Sequence, residues 1–190
     1  DSIEDGTRRV RDIVTDLKDF ARETPAERSD DIDVNEIVLK AVGLVSNLIK
    51  KTTNDFAVDY TPNPPVFKGN TQRIEQVVIN LVMNACQALS NSEGAVRVRT
   101  GRDPDGACVF VEVRDEGIGI TPEVMQRIKD PFFTTKRDAG GTGLGLAISD
   151  RIVRDHEGKM TFVSEQGRGT TVRVYFPVPT NENEKVRREE

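Results

Sequence analysis

The chain has 190 residues, enough for one ordinary domain plus an appendage, and its 36% hydrophobic content can fill a real core. Its 27 basic residues against 32 acidic ones give a formal charge of -5 without a long basic run, which argues against nucleic acid as the main ligand. With no apolar run near the ~20 residues needed to span a bilayer and no signal-peptide pattern, the chain reads as cytoplasmic.

Ile3, Val10 and Leu17 recur every seven residues, with Ile13 and Phe20 in the interleaved phase. This is the seam of a bundle or coiled-coil helix, ending near Arg22. The chain starts inside this pattern without an initiator Met, so a longer parent protein is expected, which could carry a membrane anchor. Residues 25–30 read as a linker containing Pro25.

Asp33 and Glu36 can form a capping box for one helix with Ile37, Val38, Ala41, Val42, Val45, Leu48 and Ile49 on a single face. Phe56, Val58 and Tyr60 alternate as a strand, and Pro62, Pro64 and Pro65 break the chain before Val66 and Phe67. Asn70 can cap a longer helix whose core face is Ile74, Val77, Val78, Leu81, Val82, Ala85, Ala88 and Leu89. Strands are expected near 95–101 and 107–114, joined by a turn at 103–106. A helix near 144–156 and strands near 159–164 and 169–177 follow. The polar residues 180–190 read as a disordered tail.

Mixed strands and helices with a hairpin indicate an α+β fold, helices layered on one face of a mixed sheet. Cys86, in an expected helix, and Cys108, in an expected strand, have no metal-ligand spacing and read as buried free thiols of a reducing compartment.

Two glycine-rich turns, 115–119 (Asp-Glu-Gly-Ile-Gly) and 141–146 (Gly-Thr-Gly-Leu-Gly-Leu), flank the segment 130–136 (Asp-Pro-Phe-Phe-Thr-Thr-Lys). Such turns let backbone N–H groups approach phosphate oxygens, and Gly145 stands where a helix begins, so its N-terminus can face an anion. Asn80 and Asn84 lie one above the other on a helix, where amide oxygens can hold a hard cation such as Mg²⁺. A P-loop run and a His-Arg-Asp loop are both missing.

The order of these motifs resembles the catalytic ATP-binding domain of two-component sensor histidine kinases. Residues 74–89 match its N box, 115–119 its first glycine box, 130–136 its phenylalanine box and 141–146 its second glycine box, within a resemblance running from about residue 31 to 177. It implies a Bergerat ATP-binding fold over residues 31–179, with ATP and Mg²⁺ bound. Asp115 would read the adenine N6 amine, with Thr170 near the base through water, and Asn80 and Asn84 would hold the metal and phosphates. Gly117, Gly119, Thr134, Gly141, Thr142, Gly143, Leu144, Gly145 and Leu146 would line the nucleotide.

Gln87 stands where many of these kinases carry a basic phosphate ligand; Lys136 would supply that charge instead, as in the nitrogen-regulation-like subgroup, with Arg137 a weaker substitute. Gyrase- and chaperone-type ATPases of this fold carry a glutamate at the position of Asn80. An amide cannot take a proton from water, which favours phosphoryl transfer over hydrolysis.

Residues 1–24 would be the second arm of the hairpin that dimerises and carries the phosphoacceptor histidine. His156, although followed by Glu157, ends a helix just before Gly158 and does not fit that acceptor. The histidine would lie on a hairpin segment outside this sequence, with a response regulator receiver domain downstream and a homodimer formed through the N-terminal helix. Two other readings are a nucleotide-dependent interaction module that transfers no phosphate and a protein-serine kinase of the same fold.

Overall fold

The structure, a computed structural model, describes residues 30–136 and 141–179. The expectations for residues 1–24, the linker before Asp30, Arg137 and the tail 180–190 lie outside the described residues.

Strand β1 (Asp30–Ile32) pairs antiparallel with β3 (Phe67–Gly69), Asp30 opposite Gly69. Helices α1 (Val34–Leu44) and α2 (Ser46–Thr52) come next, then β2 (Phe56–Asp59). The long helix α3 (Thr71–Ala88) follows β3 and leads into β4 (Val96–Arg102) and β5 (Cys108–Asp115). A single turn, α4 (Pro122–Met125), precedes α5 (Gly145–Asp155) and the hairpin β6 (Lys159–Glu165) and β7 (Gly169–Pro177).

The main sheet has the order β2-β4-β5-β7-β6, with β2 parallel to β4 and every other pair antiparallel. Strand alternation sends Val96, Val98, Val109, Val111, Val113, Val174 and Phe176 to one face, where α1, α3 and α5 cover them. Arg97, Arg99, Glu112, Arg114 and Arg173 face the other way. Helix α3 fits because Ile74, Val77, Val78, Leu81, Val82 and Ala85 share one face and are all buried. Its first turn is capped by Asn70, whose side chain accepts from the N–H of Arg73 at 3.0 Å.

The single helix expected from Asp33 to Ile49 is two helices. The turn after Leu44 opens at Val45 (φ -101°, ψ 10°), and the chain restarts with the Ile49 N–H bonded to the Val45 carbonyl at 3.0 Å. Gly43 and β-branched Val45 are weak helix formers at that point. The re-aimed second segment buries Ile49. Asp33 does cap α1, but through the N–H of Asn35 at 2.7 Å rather than a box with Glu36.

Cys86 is buried and Cys108 only half-buried, so the expectation of two buried thiols holds for one; burial pushes both thiols upward in pKa. His156 ends α5 and is buried; the Asn70 N–H donates to its Nε2 at 3.0 Å, so the proton sits on Nδ1, facing the Ile152 carbonyl at 2.7 Å. Among the described residues, no helix is long and apolar enough to cross a membrane.

Candidate functional site

Asp115 is the last residue of β5, and the register sets it opposite Thr170 of β7. It is 5% exposed. One carboxylate oxygen, Oδ1, accepts from the Gly117 N–H at 2.9 Å and from the Thr170 N–H at 3.3 Å. Oδ2 makes no hydrogen bond among the described residues, so it can accept a donor from a ligand. Burial pushes the Asp115 carboxyl above its ordinary range, against the opposing pull of these two N–H bonds and of the Lys136 charge.

The Thr170 hydroxyl meets Ser164 Oγ at 2.9 Å, and Ser164 also donates to the Gly169 carbonyl at 2.9 Å and accepts from the Ile120 N–H at 2.8 Å. Ser164 thus locks the base of the β6–β7 hairpin to the first glycine turn. Gly119 (φ 67°) is demanded by the same junction, because a Cβ there would run into the Glu165 carbonyl. Its role in this structure is close approach of protein to protein.

A second corner forms where α3 meets the start of α5. Asn80 Nδ2 donates to Ser149 Oγ at 2.9 Å, and Asn80 Oδ1 accepts from Asn84 Nδ2 at 3.4 Å. Gly145 lets the two helices touch: a Cβ there would lie 2.5 Å from Asn80 Oδ1. Helix α5 starts from buried Leu144 without a side-chain cap on its first turn, so its leading N–H groups open beside the asparagine pair. The Thr142 hydroxyl accepts from the Leu144 N–H at 3.2 Å and shapes the entry to the helix.

The segment 130–136 passes along this corner. Phe132 takes a positive φ of 65°, is 55% exposed, and donates its N–H to the Gly143 carbonyl at 3.0 Å. Phe133 lies under the Arg127 guanidinium at 4.4 Å, so neither phenylalanine belongs to the core. Thr134 Oγ1 accepts from the Lys136 N–H at 3.0 Å, and the Lys136 carbonyl accepts from the Gly141 N–H at 3.0 Å. The Lys136 side chain turns inward, Nζ lying 3.5 Å from the Asn84 carbonyl. Burial pulls its pKa down, partly offset by the Asp115 carboxylate. Gln87 is exposed on α3, and Leu146 is half-buried in the first turn of α5.

Asp115, Gly117, Gly119 and Thr170 therefore gather at one corner, and Asn80, Asn84, Gly145 and Thr142 at another. Thr134, Lys136, Gly141 and Gly143 run beside them. Ser149 and Ser164 were missed in the sequence reading. Their signal was a small polar side chain inside otherwise apolar or alternating stretches, Ser149 being 1% exposed.

A buried acceptor at one end and free N–H donors with two amide oxygens at the other can take a ligand that has a donor-bearing base and an anionic tail. The amide oxygens suit Mg²⁺, which commonly uses few protein ligands and leaves other positions to phosphates and water. Among the described residues no group of three His, Cys, Asp or Glu forms an all-protein metal cage.

Comparison with known proteins agrees with this geometry. The sequence profile of the histidine kinase-, DNA gyrase B-, and HSP90-like ATPase family matches residues 69–180. A putative sensor protein of Shewanella frigidimarina is 35% identical over 175 residues, 92% of this chain and 26% of that protein. The signal transduction histidine-protein kinase AtoS of Escherichia coli is 30% identical over 177 residues, 93% of this chain and 28% of that protein. The chain thus spans about a quarter of the length of these two relatives.

Among solved structures, the nucleotide-free catalytic domain of histidine kinase ThkA superposes with a TM-score of 0.68 at 31% identity, covering 79% of this chain and 98% of that one. Full-length ShkA in complex with AMPPNP gives a TM-score of 0.77 at 26% identity, covering 89% of this chain and 36% of that one. A mixed sheet under one helical layer, with an acceptor at a strand end and an amide pair facing a helix N-terminus, defines a Bergerat-type ATP-binding domain. The chain belongs to the histidine kinase-, DNA gyrase B-, and HSP90-like ATPase family, and within it to the histidine kinase catalytic domains.

Proposed function

We propose that this chain binds Mg·ATP with adenine at Asp115 and phosphates between Asn80, Asn84 and the start of α5, and transfers the γ-phosphoryl group to a histidine. Asp115 Oδ2 accepts from the N6 amine, with Thr170 beside the base. Asn80 and Asn84 hold the ion, which neutralises phosphate charge when bound. The bond between the γ-phosphorus and the β–γ bridging oxygen breaks, ADP leaves, and a phosphorus–nitrogen bond forms on the acceptor imidazole. The contribution of this chain is positioning and electrostatics.

The acceptor lies on a separate hairpin segment of the parent protein, paired with residues 1–24 as its second arm and joined to the catalytic unit through 25–30. The buried His156 supports that assignment, because both ring nitrogens are engaged by backbone groups. A response regulator receiver domain takes the phosphoryl group next. Histidine kinase ThkA, at 25% identity and a TM-score of 0.75, has been solved in complex with the response regulator TrrA, which supports such a partner here. The assignment also includes a homodimer through the N-terminal helix, a cytoplasmic location for this region, and membership of the nitrogen-regulation-like subgroup, with Lys136 supplying charge in place of Gln87.

The observation that carries the reading is the buried Asp115 carboxylate. Its Oδ1 is saturated by backbone N–H groups while Oδ2 keeps its accepting capacity. The test is incubation of the chain with γ-labelled ATP and a separately prepared hairpin bearing the histidine. Acid-labile label on the hairpin is the expected result; binding of ATP without transfer would favour an interaction module, and acid-stable label a serine kinase.

A further inference from the structure

The face of the main sheet turned away from the helices is sorted by charge. The register sets Arg97 beside Arg114 in one row across the strands. Arg99, Glu112 and Arg173 lie side by side in the next row, and Gly101, Phe110, Tyr175 and Lys159 in a third. Acids collect instead at the end of the sheet nearest Asp115, where each is already engaged. Asp55 pairs with Arg97 at 2.6 Å, Glu116 accepts from the Ala95 N–H at 3.2 Å, and Glu165 pairs with Arg168 at 3.0 Å. On a chain of formal charge -5, the middle rows are therefore a local positive patch with an acidic rim.

The patch is held in place before any partner arrives. Glu112 Oε2 accepts from Arg173 Nε at 2.7 Å, and its Oε1 lies 3.7 Å from Arg99 Nε. Both guanidiniums also lie over the Phe110 ring, 4.6 and 5.3 Å from its centroid. That ring fills the space left by Gly101, where a Cβ would fall 2.2 Å from it. One carboxylate cannot neutralise two guanidiniums, and the exposed Arg114 side chain makes no hydrogen bond or ion pair among the described residues. A groove of about 350 Å³, walled by Arg99, Arg102 and Tyr60, adjoins the patch and can seat a side chain.

We propose that this face docks an extended acidic segment of a partner protein. The two arginine rows are two residues apart along the strands, roughly 6.8 Å, which is also the repeat of same-side side chains in an extended chain. Carboxylates at every second residue therefore meet Arg97 and Arg114, then Arg99 and Arg173, in the fork geometry that arginine offers. Arginine and tyrosine on a rigid surface are the composition of protein interfaces. A nucleic acid or an anionic bilayer would meet the acidic rim as well as the patch, and a second copy of this face would bring a positive patch of its own. Arg114 and Asp115 alternate on β5, so a docked segment leaves the nucleotide corner open on the other side of the sheet.

The probe is a short peptide alternating glutamate with threonine, with a photoreactive benzophenone at its centre. Irradiated with the unmodified chain at low salt, it should cross-link to β4, β5 or β7, as read by peptide mass spectrometry; no cross-link, or cross-links only elsewhere, would overturn the proposal. Fluorescence anisotropy of the same peptide should show Arg114→Glu binding roughly threefold to tenfold more weakly, with melting curves confirming that the variant is folded. Unchanged affinity in the folded variant would overturn the assignment of this face. The affinity should also fall several-fold at about 0.15 M salt, and a peptide with lysine in place of glutamate should not bind. A single-stranded oligonucleotide or phosphatidylserine vesicles that displace the peptide at equal charge concentration would overturn the protein partner in favour of a phosphate-bearing one. The cross-linking arm uses only the unmodified chain, so a poorly folded variant does not decide the outcome.

Discussion

Replacing Asp115 by Asn isolates the single acceptor on which the proposed base recognition depends. The side chain is 5% exposed, and its Oδ1 already serves two backbone donors, Gly117 and Thr170. Asparagine can keep those two bonds through its own oxygen. Its amide nitrogen then takes the place of Oδ2 and presents a donor to the adenine amine, itself a donor. A lost bond to a charged group is worth ~1.5–3 kcal/mol, roughly tenfold to a hundredfold in affinity, and the depth of burial puts the expectation at the upper end.

The same substitution should not weaken the fold. Burial raises the Asp115 carboxyl above its unfolded value, so in the window between the two values the native chain holds a proton that the unfolded chain has lost. Stability therefore falls as pH rises through that window, and the ionised carboxylate is a standing cost above it. The melting temperature of Asp115→Asn relative to the unmodified chain should rise across this window and level off above it. Titration calorimetry with ATP, together with melting curves across pH, checks both halves. An ATP affinity within about twofold of the unmodified chain would refute the base assignment, and a variant less stable at neutral pH would refute the cost of burial.

Asn84→Ala should weaken nucleotide binding more with Mg²⁺ than with EDTA, since its amide is assigned to the ion; equal losses in the two titrations would remove it from that role. Gly119→Ala should cost at least about 2 kcal/mol in urea denaturation, because it combines a positive φ with a clash against the Glu165 backbone. His156→Ala should cost about 2–4 kcal/mol through a cavity and an orphaned Asn70 N–H, yet leave transfer to a supplied hairpin unchanged when assayed well below the melting temperature. Lys136→Ala should slow single-turnover transfer far more than it weakens Mg·ATP binding; rates within about twofold would make it a bystander.

Elements whose side chains repeat against one large neighbour were readable in advance. Helix α3, with its Asn70 cap and continuous apolar face, and strands β4 to β7, with their alternation, fall where the pattern puts them to within a residue or so. The three-residue strands β1 and β3 were not legible, because their pairing is a tertiary fact that leaves no periodicity in so few residues. The break at Val45 was hidden for the opposite reason: the apolar period continues through it, and only packing decides that Ile49 turns inward. At the site, the charged and amide residues announced themselves by type, but their supports did not. Ser149 and Ser164 look like ordinary serines until the helix contact and the hairpin register bring them under Asn80 and Thr170. The position of the Lys136 ammonium was unreadable, since a flexible four-carbon stem can reach either end of the site.

The support under Asn80 bears on which chemistry the proposed site favours. To hydrolyse ATP, a site of this shape needs a group beside the γ-phosphate that can take a proton from water. Asn80 has its nitrogen committed to Ser149 and its oxygen facing Asn84 and Gly145, so its amide is held in one orientation, with no basic group on offer. Glu75, five residues earlier on α3, is more than a full helical turn away along the axis. Asp115 stands at the other corner, at the end of β5, where the proposal assigns it to the adenine. None of these described residues serves as that base, so the site favours a nucleophile that attacks without first giving up a proton, as a neutral imidazole nitrogen does and a water molecule does not. In the proposed reaction, the rigidity that Ser149 gives to Asn80 keeps the phosphates in line for that nucleophile and leaves bulk water a poor competitor.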